Sequence, residues 1–101
     1  MTKKPALYLS LKKKWYDMIC CGIKREEYRN MTNYWNKRLF YTNGEPKDFE
    51  YVEFTLGYPA KSDNSRRMRF KITSISKRCG KEEWGAEKGV CYYVIQLGDI
   101  I

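Results

Sequence analysis

From Arg67 to Thr73 polar and apolar residues alternate without a break: Met68, Phe70 and Ile72 fall on one side, Arg67, Arg69, Lys71 and Thr73 on the other. A repeat of two is the period of a β-strand, whose successive side chains point to opposite faces. Ile75 is out of phase with the inward set, which predicts a bulge. The same period marks Ala6 to Leu11, with Leu7, Leu9 and Leu11 together, and Tyr51 to Leu56, with Val52, Phe54 and Leu56 inward. Val90 to Leu97 is apolar or aromatic on both faces, the pattern of a central or barrel strand.

Between these strands the period changes. In Lys12 to Cys21, Trp15, Met18 and Ile19 stand at i, i+3 and i+4, the stripe of a short amphipathic helix. Ser10 is placed to cap its start and Gly22 to end it in a left-handed conformation. Thr32 reads as the N-cap of a second short helix, Asn33 to Phe40, with Trp35 and Leu39 one turn apart. Lys24 to Arg29 has too many charges for a core strand and no helical stripe, so it is expected to be a short edge or barrel-mouth strand. Asn43-Gly44 and Pro46 break the chain, Gly57 to Ser65 is loop, and Lys77 to Gly89 is expected to be a charged loop around Trp84-Gly85. The order strand, helix, short strand, helix, three strands predicts an α+β fold. Short strands are best protected by closure, which points to a small, mostly antiparallel β-barrel of about five or six strands with two short helices.

With 101 residues and no repeat, linker or low-complexity segment, residues 1–101 are expected to form a single domain. A hydrophobic share of 43% excludes disorder. No apolar stretch approaches the roughly 18 residues of a membrane helix, and Ala6 to Leu11 is too short and polar for a signal-peptide core. A soluble, cytoplasmic protein without membrane contact is expected. Cys20, Cys21, Cys79 and Cys91 show no CxxC spacing, and adjacent cysteines chelate poorly, so no metal is expected. They read as reduced, partly buried small apolar residues.

The chain has no histidine. That excludes Ser-His-Asp and Cys-His nucleophile pairs, HExxH zinc sites and imidazole pH switches. Any general acid or base must be Glu, Asp, Lys, Tyr or Cys. The net charge is +8, unevenly spread: ten basic and three acidic residues in 1–40 (+7), two and five in 41–65 (−3), eight and four in 66–101 (+4). Either this charge serves solubility alone, or the two ends of the chain assemble a basic face suited to a polyanion such as nucleic acid.

Gly22-Ile23-Lys24-Arg25-Glu26-Glu27-Tyr28-Arg29 directly follows the first helix. The segment resembles the mark of the ASCH domain, a branch of the PUA-like barrels: G-x-K-x-x-E-x-R after strand and helix. Gly22, Lys24, Glu27 and Arg29 fill its four positions, and Lys12 falls where the family often has a lysine after the first strand. The resemblance covers about the first thirty residues in detail and the remainder in strand order. It implies a PUA-like barrel without metal or cofactor. It also implies a partner that is single-stranded or structured RNA, or a nucleoside or nucleotide, modified ones included. Single-stranded or looped RNA is favoured over duplex DNA, since no recognition helix of adequate length and basicity is present. A monomer is expected.

Alternate side chains of an extended segment share a face, so Glu27 and Arg29 are expected to pair with Arg25 beside them, while Lys24, Glu26 and Tyr28 point the other way unless a bulge intervenes. A lysine, a carboxylate and an arginine in one cavity can hydrogen-bond a base edge and neutralise a phosphate. The candidate ligand-binding residues are therefore Lys12, Lys24, Glu27, Tyr28, Arg29 and Trp84, with Tyr28 and Trp84 as stacking surfaces. Arg67 and Arg69 are candidates for contact with a nucleic-acid backbone. The structural alternatives are a Glu27–Arg29 ion pair that plugs the barrel mouth and a Trp84 that covers the core; helical spacing alone explains Trp15 and Trp35.

A second function class also follows from the resemblance. Some small ASCH proteins are amidohydrolases that deacylate N4-acetylcytidine, and a related one is described as a ribonuclease. In the amidohydrolases the motif lysine works with a threonine at the acidic position and a glutamate much later in the chain. Here Glu27 replaces that threonine, and the nearest later glutamates, Glu82 and Glu83, have no motif around them. A metal-independent hydrolase of acylated cytidine nucleosides or RNA would use Lys24 and Glu27 as its acid/base pair, which requires Lys24 to be buried with a depressed pKa. A third class is a protein-binding adaptor using the basic face and the nine tyrosines.

Overall fold

The computed structural model describes residues 4–101. They run as β1 (Leu7–Leu11), α1 (Lys13–Cys20), β2 (Glu26–Arg29), α2 (Asn33–Leu39), β3 (Val52–Leu56), β4 (Arg67–Cys79) and β5 (Cys91–Ile100), with 3-10 turns at Asn64–Arg66 and Glu82–Trp84. The strands form one sheet in the order β1-β3-β4-β5-β2, curled into a half-barrel. β1 and β3 are parallel, with Leu7 opposite Val52. The other three pairings are antiparallel. The architecture is α+β with a mostly antiparallel sheet, as the alternation of periods predicts.

The inward sets of β1, β3 and β4 meet in the core as expected. Leu7, Leu9, Leu11, Val52, Phe54, Met68 and Phe70 are all buried there, joined by Ile19 of α1 and Leu39 of α2. Each such side chain contributes about 1.5–3 kcal/mol by leaving water. The bulge is present: the register of β4 against β5 shifts on both sides of Ile72, and Ile75 thereby returns to the core. β5 is central, and both its faces are covered. Tyr93, Ile95 and Leu97 enter the main core, while Tyr92 and Val94 pack with Ala86 and Tyr28 on the other side. Chain between β4 and β5 thus folds back over the second face of its own hairpin.

Several local readings are corrected. Ser10 does not cap α1, because Leu11 still pairs with Leu56 and the chain leaves the sheet only at Lys12; Lys12 is the N-cap and makes no side-chain capping bond. The buried residues of α1 are Tyr16 and Ile19, while Trp15 is half-buried. Lys77 to Cys79 are not loop but the end of β4, paired with Tyr93 to Cys91. All four cysteines are exposed, not partly buried. Gly22 does end α1 with φ +80°, and Thr32 does cap α2, accepting a hydrogen bond from the Trp35 N–H at 3.3 Å. Among the described residues no helix is long and apolar enough to cross a membrane.

Candidate ligand-binding cavity

Where β1 hands over to α1, the chain turns beside the edge strand β2, the exit of β3 and the loop between β4 and β5. Together these segments enclose a cavity of about 790 Å³, within the few hundred to a thousand Å³ usual for small-ligand sites. Ser10 and Leu11 end β1 at its margin, Lys12, Lys13 and Trp15 begin the α1 side, Glu27, Tyr28 and Arg29 come from β2, and Gly57-Tyr58 and Trp84-Gly85 close the walls. Gly85 has φ +101°, and a Cβ there would lie 3.0 Å from the Trp15 ring, so only glycine lets this loop rest against the indole.

Glu27 forms the floor. It is buried, and its two carboxylate oxygens have different partners: Lys24 Nζ donates to Oε1 at 2.8 Å and Arg29 Nη2 to Oε2 at 2.9 Å. The Glu27–Arg29 pair was predicted by the shared face. The position of Lys24 was not, and the expectation that it points away from Glu27 is overturned. Lys24 precedes β2, in a turn whose Ile23 and Lys24 N–H groups both donate to the Met18 carbonyl at 2.9 and 3.0 Å. Strand periodicity does not govern it there, and its side chain passes beneath Glu27. Nζ has no exposed surface, donates also to the Glu26 carbonyl, and lies 5.0 Å from the Tyr28 ring centroid. Burial pushes the Lys24 ammonium below its ordinary pKa, and attraction to Glu27 only partly offsets this.

Arg29 bridges the open edges of the half-barrel. From β2 its guanidinium reaches the Ser10 carbonyl of β1 at 3.3 Å and lies 5.1 Å from the Trp35 ring centroid, while its Nε is buried without a partner. Arg25 does not join the Glu27–Arg29 face as expected; it donates to the Leu97 and Gly98 carbonyls at 3.1 and 2.8 Å.

Tyr28 presents its ring to the cavity and uses its hydroxyl as a strap. The O–H donates to Glu26 Oε1 at 2.8 Å and accepts from the Lys81 N–H at 2.9 Å, tying β2 to the β4–β5 loop. Burial, reinforced by the Glu26 carboxylate, pushes this phenol up to about 12. Burial alone would raise Glu26, but hydrogen bonds from Arg78 and Tyr28 outweigh it and hold the carboxyl below its usual range. Trp84 stands half-buried on the cavity wall, with Lys81 Nζ 4.3 Å above its ring.

Lys12, Glu27, Tyr28, Arg29 and Trp84 therefore share one cavity, with Lys24 directly below it. Arg67 and Arg69 do not join them. Both bind Glu53, at 3.2 and 2.9 Å, beside a separate hollow of about 440 Å³ that also holds Tyr8 and Lys61. Three residues escaped sequence reasoning. Trp15 was assigned to the core because it shares a stripe with Met18 and Ile19, yet the adjacent Tyr16 takes the buried place. Glu53 reads as an outward position of β3, but the two long arginine side chains cover it to 5% exposure. Tyr58, at the cavity rim, follows the turn at Gly57 and had no signal of its own. Among the described residues no three Cys, Asp or Glu side chains gather as a metal site. Comparison with family models, with curated proteins and with solved structures finds no match to this chain.

Proposed function

We propose that this cavity binds a planar, anionic ligand of nucleotide type, either a free nucleotide or an unpaired base of single-stranded or structured RNA, in a domain of ASCH type. One observation carries the reading: five residues singled out for such chemistry, Lys12, the β2 residues Glu27, Tyr28 and Arg29, and Trp84, come from three separate segments yet line the same cavity. The division of labour follows from their chemistry. Lys12, exposed at the rim, meets a phosphate. Trp84 and Tyr58, both lining the cavity, offer stacking faces. Each Glu27 oxygen keeps a lone pair beyond its ion pair, so the carboxylate can still accept from a base amino group. Fluorescence titration with a short single-stranded RNA tests this. Trp84→Ala is expected to weaken binding about tenfold or more, since stacking is worth roughly 1–3 kcal/mol per base. Lys12→Ala is expected to reduce the salt dependence by about one phosphate contact. Unchanged affinity and salt slope in both variants would refute the site.

Hydrolysis is the second reading, favoured by the burial and lowered pKa of Lys24 beside a carboxylate. Against it stands the covering of Nζ, which touches no solvent and is separated from the cavity by Glu27 and the Tyr28 and Trp15 rings. Free acetate released from N4-acetylcytidine, and lost with Lys24→Met, would give this reading priority.

A further inference from the structure

Cys79 ends β4 and Cys91 begins β5, and the two are direct partners across the antiparallel ladder. Their Sγ atoms are 4.0 Å apart and both residues are exposed. Directly opposed residues of an antiparallel pair have Cα atoms about 4.5–5.5 Å apart, inside the range that a disulfide spans without backbone movement. Side-chain rotation alone can bring these sulfurs into bonding distance. The hydrogen bond with Cys79 pushes the Cys91 thiol above its ordinary pKa, so the exchange is expected to run faster at alkaline than at neutral pH.

The pair also sits at a defined place in the fold. Residues 80–90, between the two cysteines, carry Trp84, Gly85 and Glu87 onto the cavity wall and Ala86 into the second apolar cluster. A bond at positions 79 and 91 would close this loop at its base.

We propose that Cys79 and Cys91 are a thiol–disulfide site that staples the base of the loop over the cavity. The oxidant is a small-molecule disulfide of the glutathione class. One cysteine thiolate attacks the oxidant's S–S bond, which breaks to release one small thiol and leaves a mixed disulfide on the protein. The second cysteine thiolate then attacks the protein sulfur of that mixed disulfide and expels the second small thiol. Two protein thiols are oxidised, one small disulfide is reduced to two thiols, and the two cysteine protons end on the released thiols.

The test treats the full chain with oxidised glutathione, followed by intact mass, peptide mapping and amide hydrogen exchange. The expected result is the loss of two hydrogens, a mapped Cys79–Cys91 crosslink, and slower exchange within residues 80–90. The crosslink is expected to persist in Cys20→Ser/Cys21→Ser and to vanish in Cys79→Ser. The oxidised form is expected to melt higher by on the order of 10 °C, from the closed loop. Glutathione adducts alone, or a Cys20–Cys21 product alone, would overturn the proposal. A Cys79–Cys91 bond with unchanged exchange in the loop would overturn the stapling.

Discussion

At the scale of single residues, the molecule turns on a carboxylate held between two cations. Glu27 is buried and engages Lys24 through one oxygen and Arg29 through the other. Because burial lowers the Lys24 pKa in spite of the nearby carboxylate, desolvation outweighs attraction at that ammonium. A pair of this kind holds geometry more than it adds stability. Glu27→Gln leaves a fully covered ammonium without its counter-charge and is expected to lower the unfolding free energy by about 3 kcal/mol. In Lys24→Met/Glu27→Gln the stranded charge is gone, and most of that loss is expected to return, read by denaturant melts in a double-mutant cycle. Additive losses would show that the two groups act separately. The motif spacing makes Lys24, Glu27 and Arg29 legible as a group in the sequence. The route of Lys24 was not legible: which side it takes depends on β2 starting at Glu26, a boundary that the run of charges from Lys24 to Arg29 does not mark.

Among the elements, the β4–β5 hairpin organises the cavity. Its two strands are joined by residues 80–90, which fold back onto Tyr28 and Tyr92. Gly80 is the point of closest approach: a Cβ there would lie 2.6 Å from the Tyr28 ring and 2.8 Å from the Ala86 Cβ. Gly80→Ala must therefore push the ring or the loop aside. It is expected to cost about 1–3 kcal/mol by thermal melting and to shift tryptophan emission as the Trp84 wall moves. Stability within about 0.5 kcal/mol of the unmodified chain would show that the loop yields freely, as most surface substitutions allow. β1, β3 and most of β4 were legible because each places its apolar residues on a single face and so alternates. The bulge was legible too, since Ile75 could rejoin Met68 and Phe70 only by gaining a residue. Lys77 to Cys79 were not, because Lys77 and Arg78 are charged, all three side chains are exposed, and only backbone pairing to β5 makes them strand. α1 misled by one position: Trp15 and Tyr16 are both aromatic, and the sheet beneath decides which of them is covered.

Across the whole molecule, the +8 charge is less available than the sequence suggests. Glu53 takes up Arg67 and Arg69, Glu26 takes up Arg78, and Glu27 takes up Lys24 and Arg29. Lys13, at the cavity rim, is paired with Asp17 at 2.5 Å. Buried carboxylates thus divide the apparent basic face into separate clusters, which no count along the chain can show. Lys12 remains at the cavity with no ion-pair partner among the described residues, and the electrostatic pull on a ligand is concentrated where β1 meets α1. In the proposed reading this cavity, and not the arginine cluster around Glu53, receives a nucleotide-type ligand. Its most direct test is a heteronuclear NMR titration of the backbone amides with short single-stranded RNAs, nucleoside monophosphates and N4-acetylcytidine in turn. Saturable shifts are expected at Lys12 to Trp15, Glu27 to Asn30 and Trp84 to Glu87, with the added compound unchanged. Shifts confined to Tyr8, Glu53, Arg67 and Arg69, or none with any of these ligands, would contradict it.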